Sequence, residues 1–202
     1  MIHNIARDVD AFTSNAFLVS PAARGDHGAD GRTVLVDTGA NFDAVSHLEG
    51  DVDHLDAVVI THTHPDHVGN VDAIRDRFDV ETWGFDASHP AVDNRIDDGD
   101  VVRIGTDAFR ALHTPGHAVD HLCLYDPDSG VLFAGDLVFA GGSFGRTDLP
   151  GGDGRTLVES IERVVEAVDE TLQVLHTGHG PSVLDDPFGA LEQSLQAARA
   201  RA

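Results

Sequence analysis

Short apolar runs rich in β-branched residues recur along this chain, each ending where glycine, histidine or aspartate begins. Asp56-Ala57-Val58-Val59-Ile60 reads as a buried strand, and residues 109–113, 130–134 and 172–176 read the same way. The period becomes helical over 156–168, where Leu157, Ile161, Val164, Val165 and Val168 share a face suited to packing on a sheet. Another helix is predicted over 188–200. Pro65 suits the first turn of a helix running through Val68, Val71, Ile74, Arg75 and Phe78. Segments 33–61 and 131–178 both run strand, turn, helix, strand, with Asp37 and Asp136 ending the first strand of each, a likeness too faint to count as a repeat. Polar stretches at 21–31 and 93–100 read as surface turns. The pattern predicts one α/β domain spanning residues 1–202.

Composition adds the solvent. Thirty-five acidic residues face 13 arginines with no lysine, a net charge of -22. Self-repulsion of that size is relieved by salt, so a salt-rich cytoplasm is the expected setting. It also opposes nucleic-acid backbones, and no basic stripe offsets it. No apolar run approaches membrane-spanning length, and no basic-then-apolar leader opens the chain, so a soluble cytoplasmic protein is expected. Cys123 is the only cysteine; it lies in an apolar run and is assigned to the core.

Candidate chemistry gathers after the strands. His62-Thr63-His64-Pro65-Asp66-His67 places three imidazoles and a carboxylate, all ligands for divalent metals, within six residues. His62 and His64, two apart in an extended exit from a strand, point to one side and can share a metal, while the turn at Pro65 aims Asp66 and His67 toward a neighbouring position. His117 follows Thr114-Pro115-Gly116, Asp136 follows Ala134-Gly135, and His179 sits between glycines in Gly178-His179-Gly180. Each comes just beyond an apolar strand, where α/β sites form.

Taken in order, these segments resemble the ligand series of the metallo-β-lactamase superfamily, with Val36-Asp37-Thr38-Gly39 matching the segment before its first helix. The resemblance covers roughly residues 12–182 and implies a four-layer αββα sandwich. It further implies that His62, His64 and His117 hold one metal, Asp66, His67 and His179 a second, and that Asp136 bridges them. Zinc is the expected ion, with iron and manganese as alternatives. Within the superfamily, Gly145-Arg146-Thr147-Asp148 followed by Leu149-Pro150-Gly151-Gly152-Asp153 is similar to the short glyoxalase II branch, close to the persulfide dioxygenases. That likeness implies hydrolysis of a small-molecule thioester by a metal-activated hydroxide, which Asp66 would also orient, with Asp37 steadying a ligand imidazole and Arg146 pairing with a substrate carboxylate. The helical region that follows in full-length glyoxalase II has no counterpart here, which leaves the thiol carrier open among glutathione, another small thiol and coenzyme A.

Two further readings compete. A single iron on His62, His117 and Asp136 would make a persulfide dioxygenase, and the same ligands without turnover would make a metal-binding module. Gly141-Gly142-Ser143-Phe144-Gly145 satisfies a serine-hydrolase pattern, but Pro150 and the glycines beyond it predict a loop where a nucleophile elbow needs a helix. His3, His27, His47, His54 and His89 read as ordinary surface or packing residues; His113 and His176 are assigned to strand packing ahead of supporting a ligand, and His121, four residues after His117 and placed to orient a ligand or touch substrate, is assigned to structure.

Overall fold

A computed structural model describes residues 1–21, 31–168 and 170–201, which form two compact units. Of the two stretches read as turns, 21–31 lies almost wholly outside the described residues, as does His27. The first unit comprises Met1–Ile96 and Val101–Ala108. Its strands are β1 (Ile2–Asn4), β2 (Phe17–Val19), β3 (Val34–Val36), β4 (Ala57–Val59), β5 (Thr82–Gly84) and β6 (Asn94–Arg95), paired in that order. β1 to β3 run antiparallel and β3 to β6 parallel. Of the parallel strands, β3 and β4 are wholly apolar and buried, as suits strands joined by crossover helices. Leu18, Leu35, Val58 and Ile60 are buried with Leu48 of α1 (Ala44–Glu49) and with Val71 and Ile74 of the third helix. Asp43 caps α1 by accepting from the Ser46 amide at 3.1 Å.

The single helix expected from Pro65 onward is two. α2 (Pro65–Val68) stops at Gly69, and α3 (Val71–Phe78) starts afresh. Contacts from far along the chain interrupt it: Asn70 donates its amide to Gly39 O at 3.2 Å and its side chain to Thr38 O at 3.0 Å. A Cβ on Gly69 would fall 2.5 Å from the Ala40 Cβ, so only glycine lets α2 lie this close. The turn expected over 93–100 also holds a strand, β6, a two-residue parallel pairing with Trp83–Gly84 that local pattern cannot announce.

The remaining strand of the first unit is β7 (Val101–Ile104), followed by the start of β8 (Asp107–His113). The second unit, Asp97–Asp100 and Phe109–Ala202, contains the rest of β8 with β9 (Leu122–Asp126), β10 (Val131–Phe133) and β13 (Val174–His176), ordered β13-β10-β9-β8. β10 and β13 are parallel; the other pairs are antiparallel. Between β10 and β13 come the hairpin β11 (Val138–Phe139) and β12 (Ser143–Phe144), then α4 (Gly154–Ala167). The chain continues through β13 to α5 (Pro187–Arg199). Leu157, Ile161 and Val164 of α4 bury against Leu132, Leu175 and the α5 residues Leu191 and Leu195, as the helical period predicted. Asp153 and Asp186 cap α4 and α5 through the amides of Thr156 and Gly189. Cys123 is wholly buried, and burial pushes its thiol up to about 12, which keeps it an inert core residue. Among the described residues no helix is long and apolar enough to cross a membrane.

Candidate functional site

In the first unit the register of β3 on β4 brings the candidates together. Val36 pairs with Val59, so Asp37 and Thr61 leave the sheet side by side. Asp37, 3% exposed and in the left-handed region at φ 57, accepts the Thr61 amide at Oδ1 and the Thr61 hydroxyl at Oδ2, both at 2.8 Å. Its Oδ2 also accepts from His67 Nδ1 at 2.9 Å. The Thr61 hydroxyl has spent its proton on Asp37, so at 3.2 Å it accepts from His62 Nδ1. One carboxylate therefore sets both tautomers. With protons on Nδ1, His62 and His67 each present Nε2 as the lone-pair nitrogen, the form in which imidazole binds metal. His62 Nε2 faces His64 Nδ1 at 3.0 Å, and the His62 and His67 rings lie 4.0 Å apart between centroids. His62 and His67 are buried; His64 and Asp66 are half-buried.

The second unit repeats the device with different strands. Phe133 of β10 pairs with His176 of β13, and Asp136 and His179 each follow three residues later. The Gly178 amide donates to Gly135 O at 2.6 Å and holds the two exits together. Across the sheet His113 pairs with Leu122, and Thr114-Pro115-Gly116 turns His117 back. His117 Nδ1 donates to the Arg146 carbonyl at 2.8 Å, which again leaves Nε2 as the lone-pair nitrogen. That Nε2 lies 3.4 Å from Asp136 Oδ2, and His179 Nε2 lies 3.5 Å from the same oxygen. Two atoms each ~2.0–2.1 Å from one tetrahedral ion are ~3.3 Å apart. The separations are thus those of co-ligands rather than of good hydrogen bonds. Imidazoles that present Nε2 at His62, His67 and His117, and a carboxylate oxygen of Asp136 approached by two imidazoles, make a donor set suited to divalent metal.

Two glycines make this packing possible. A Cβ on Gly145 would lie 2.0 Å from Asp136 O and 3.0 Å from the His117 ring. Gly116, at φ 127, would drive a Cβ to 2.3 Å from Leu157 N and 2.4 Å from Leu157 Cα. Because backbone rather than a flexible side chain stands in the way, Gly116→Ala is expected to cost about 3 kcal/mol or more. Urea unfolding of the variant at fixed salt measures it; a loss below about 1 kcal/mol would show that α4 shifts freely.

Other candidates take different places. The Arg146 guanidinium is exposed and forks onto Asp148 at 2.7 Å through both Nε and Nη2, which holds the Asp148 carboxyl down at about 2. Its carbonyl, not its side chain, touches a candidate ligand. Ser143 begins a strand rather than a helix, and its carbonyl accepts from Ser194 Oγ, so no nucleophile elbow forms. His176 stacks on Phe133 and donates or accepts at Ser182 Oγ; burial lowers it to about 4 and keeps it neutral. His113 bonds the Val119 carbonyl. His121, assigned from sequence to structure, is fully buried with both ring nitrogens bonded. Its signal was a place four residues after His117 and seven after Thr114.

The chain is similar to known proteins in sequence and in fold. The profile of the Metallo-beta-lactamase superfamily matches residues 9–92 and 82–179. A hydroxyacylglutathione hydrolase of Chromohalobacter salexigens is 35% identical over 153 residues, covering 75% of this chain and 58% of that protein. Hydroxyacylglutathione hydrolase GloC of Haemophilus influenzae is 28% identical over 169 residues, covering 72% and 79%. Among solved structures, TTHA1623 in a di-iron-bound form superposes with a TM-score of 0.74 at 26% identity, over 96% of this chain and 98% of that one.

Proposed function

From the premise that this chain belongs to the metallo-β-lactamase superfamily, a family of metal-dependent hydrolases, we propose that it hydrolyses small-molecule thioesters with two divalent metal ions. His62, His64 and His117 would hold one ion, Asp66, His67 and His179 the other, and Asp136 would serve both. Carrying this reading is the convergence of His117 and His179 Nε2 on one Asp136 oxygen at 3.4 and 3.5 Å. The thioester itself is supported by the relatives named hydroxyacylglutathione hydrolase.

When bound, such ions supply Lewis acidity and a water acidic enough to attack a carbonyl near neutral pH. The chain's own residues do the positioning. Asp37, directly at His67 and through Thr61 at His62, keeps the two Nδ1 protons in place, so that each Nε2 is the nitrogen that would hold an ion. Arg146 O does the same for His117. Asp66, half-buried at the first turn of α2, orients the attacking water, and Arg146 receives a substrate carboxylate by exchanging it for Asp148. The acidic surface turns away nucleic acid and suits a salt-rich cytoplasm.

The test is elemental analysis of protein purified in molar salt, with thioester hydrolysis and O₂ uptake on a thiol persulfide followed in the same sample. About two metal ions per chain with thioester turnover is the expected result. One iron with O₂ uptake would replace it by the dioxygenase reading, and metal without either activity would reject both.

A further inference from the structure

In the second unit the His121 imidazole joins the main chain at Asp136 to the Thr114 side chain. The Asp136 amide donates to its Nε2 at 3.0 Å. A backbone N–H can only donate, so Nε2 holds the lone pair and the ring's proton sits on Nδ1. Nδ1 lies 2.8 Å from Thr114 Oγ1, which accepts that proton. Thr114 N in turn donates to His121 O at 2.9 Å. The loop that carries His117 is therefore closed at its base by Thr114 and His121, through main chain and side chain together, and the same ring grips the main chain at Asp136.

The placement matters because of what Asp136 does next. Its Oδ2 lies at ligand–ligand distance from both His117 and His179. Ligand sites tolerate only ~0.5 Å of displacement. A carboxylate side chain swings about its own Cα, so a held amide limits where Oδ2 can go. An uncharged ring that accepts on one side and donates on the other fits this wholly buried position, whereas an apolar residue of equal size would leave the Asp136 N–H without its ring acceptor.

We infer that His121 is a positioning residue for metal binding, setting the Asp136 carboxylate against His117 by holding the Asp136 amide and, through Thr114, the base of the His117 loop. The inference rests on the reading of Asp136 and His117 as metal ligands. It does not depend on the substrate.

Zinc affinity, measured by competition with a chromophoric chelator in molar salt, provides the test, alongside thermal unfolding of the metal-free proteins. His121→Leu is expected to weaken zinc binding about 10- to 100-fold. His121→Gln, whose amide oxygen can accept from the Asp136 N–H, should recover most of that loss. Thr114→Val, which removes the acceptor for Nδ1, should weaken zinc less than His121→Leu does, with Thr114→Ser restoring it; this pair decides the matter if His121→Leu does not fold. Folded His121→Leu or Thr114→Val with unchanged zinc affinity would overturn the inference, because a purely structural residue shifts unfolding alone. Equal weakening by His121→Leu and His121→Gln would overturn it as well. Failure of the unaltered protein to bind zinc or iron would instead remove the metal reading, and this inference with it.

Discussion

Asp136→Ala is expected to abolish tight metal retention and to lower thioester turnover by at least about 10³-fold, the loss that follows when several kcal/mol of charge stabilisation are withdrawn from a metal-assisted reaction. Its Oδ2 is the atom on which the His117 and His179 nitrogens both converge. Without it, Asp66 is the single proposed carboxylate ligand left beside neutral imidazoles to face two dications. The scaffold should survive, since the contacts that shape this exit are main-chain ones: the Asp136 amide on His121 and the Gly178 amide on Gly135. Stability of the metal-free protein is expected to stay level or rise, because the native carboxylate is 6% exposed and its burial is unfavourable without a cation. Metal analysis, turnover and thermal unfolding of the variant separate the two effects. Full metal content with native turnover would remove Asp136 from the proposed centre.

Transfer from about 2 M potassium chloride to about 0.02 M is the second large effect: the unfolding midpoint should fall by more than about 10 °C, at fixed metal content. Two electrostatic effects of salt oppose one another. Screening weakens attractive pairs, and this chain has several, Arg75 with Asp93, Arg77 with Glu49, Arg163 with Asp98 and Arg199 with Glu162. Such partly exposed pairs contribute only ~0–1 kcal/mol each. Screening also weakens repulsion among the surplus carboxylates, and at a net charge of -22 that repulsion grows with the square of the charge. Lowering the salt lengthens the screening distance from ~2–3 Å to ~20 Å, so the surplus charges begin to act on one another across the surface. Repulsion wins. Circular dichroism melts at the two salt concentrations measure it, and a midpoint equal or higher in dilute buffer would sink the salt-adapted reading.

Local pattern was enough for much of this molecule. The strands ending before His62, His117, Asp136 and His179 lie close to where short apolar runs placed them, the face of α4 follows from a 3.6-residue period, and α5 falls where a last helix was expected. Donor chemistry was legible for the same reason, since residue type decides it. Tertiary structure decided what the donors do. Helix 65–78 broke because Asn70 answers to Thr38 and Gly39, some thirty residues earlier. β6 exists only because β5 lies beside it. Folding brings the His121 ring to the amide of Asp136 and the Arg146 carbonyl to His117, while the Arg146 guanidinium forks on Asp148. A sequence names which atoms can donate or accept; which nitrogen keeps its proton depends on the partner within 3 Å, and folding selects that partner from residues distant in the chain.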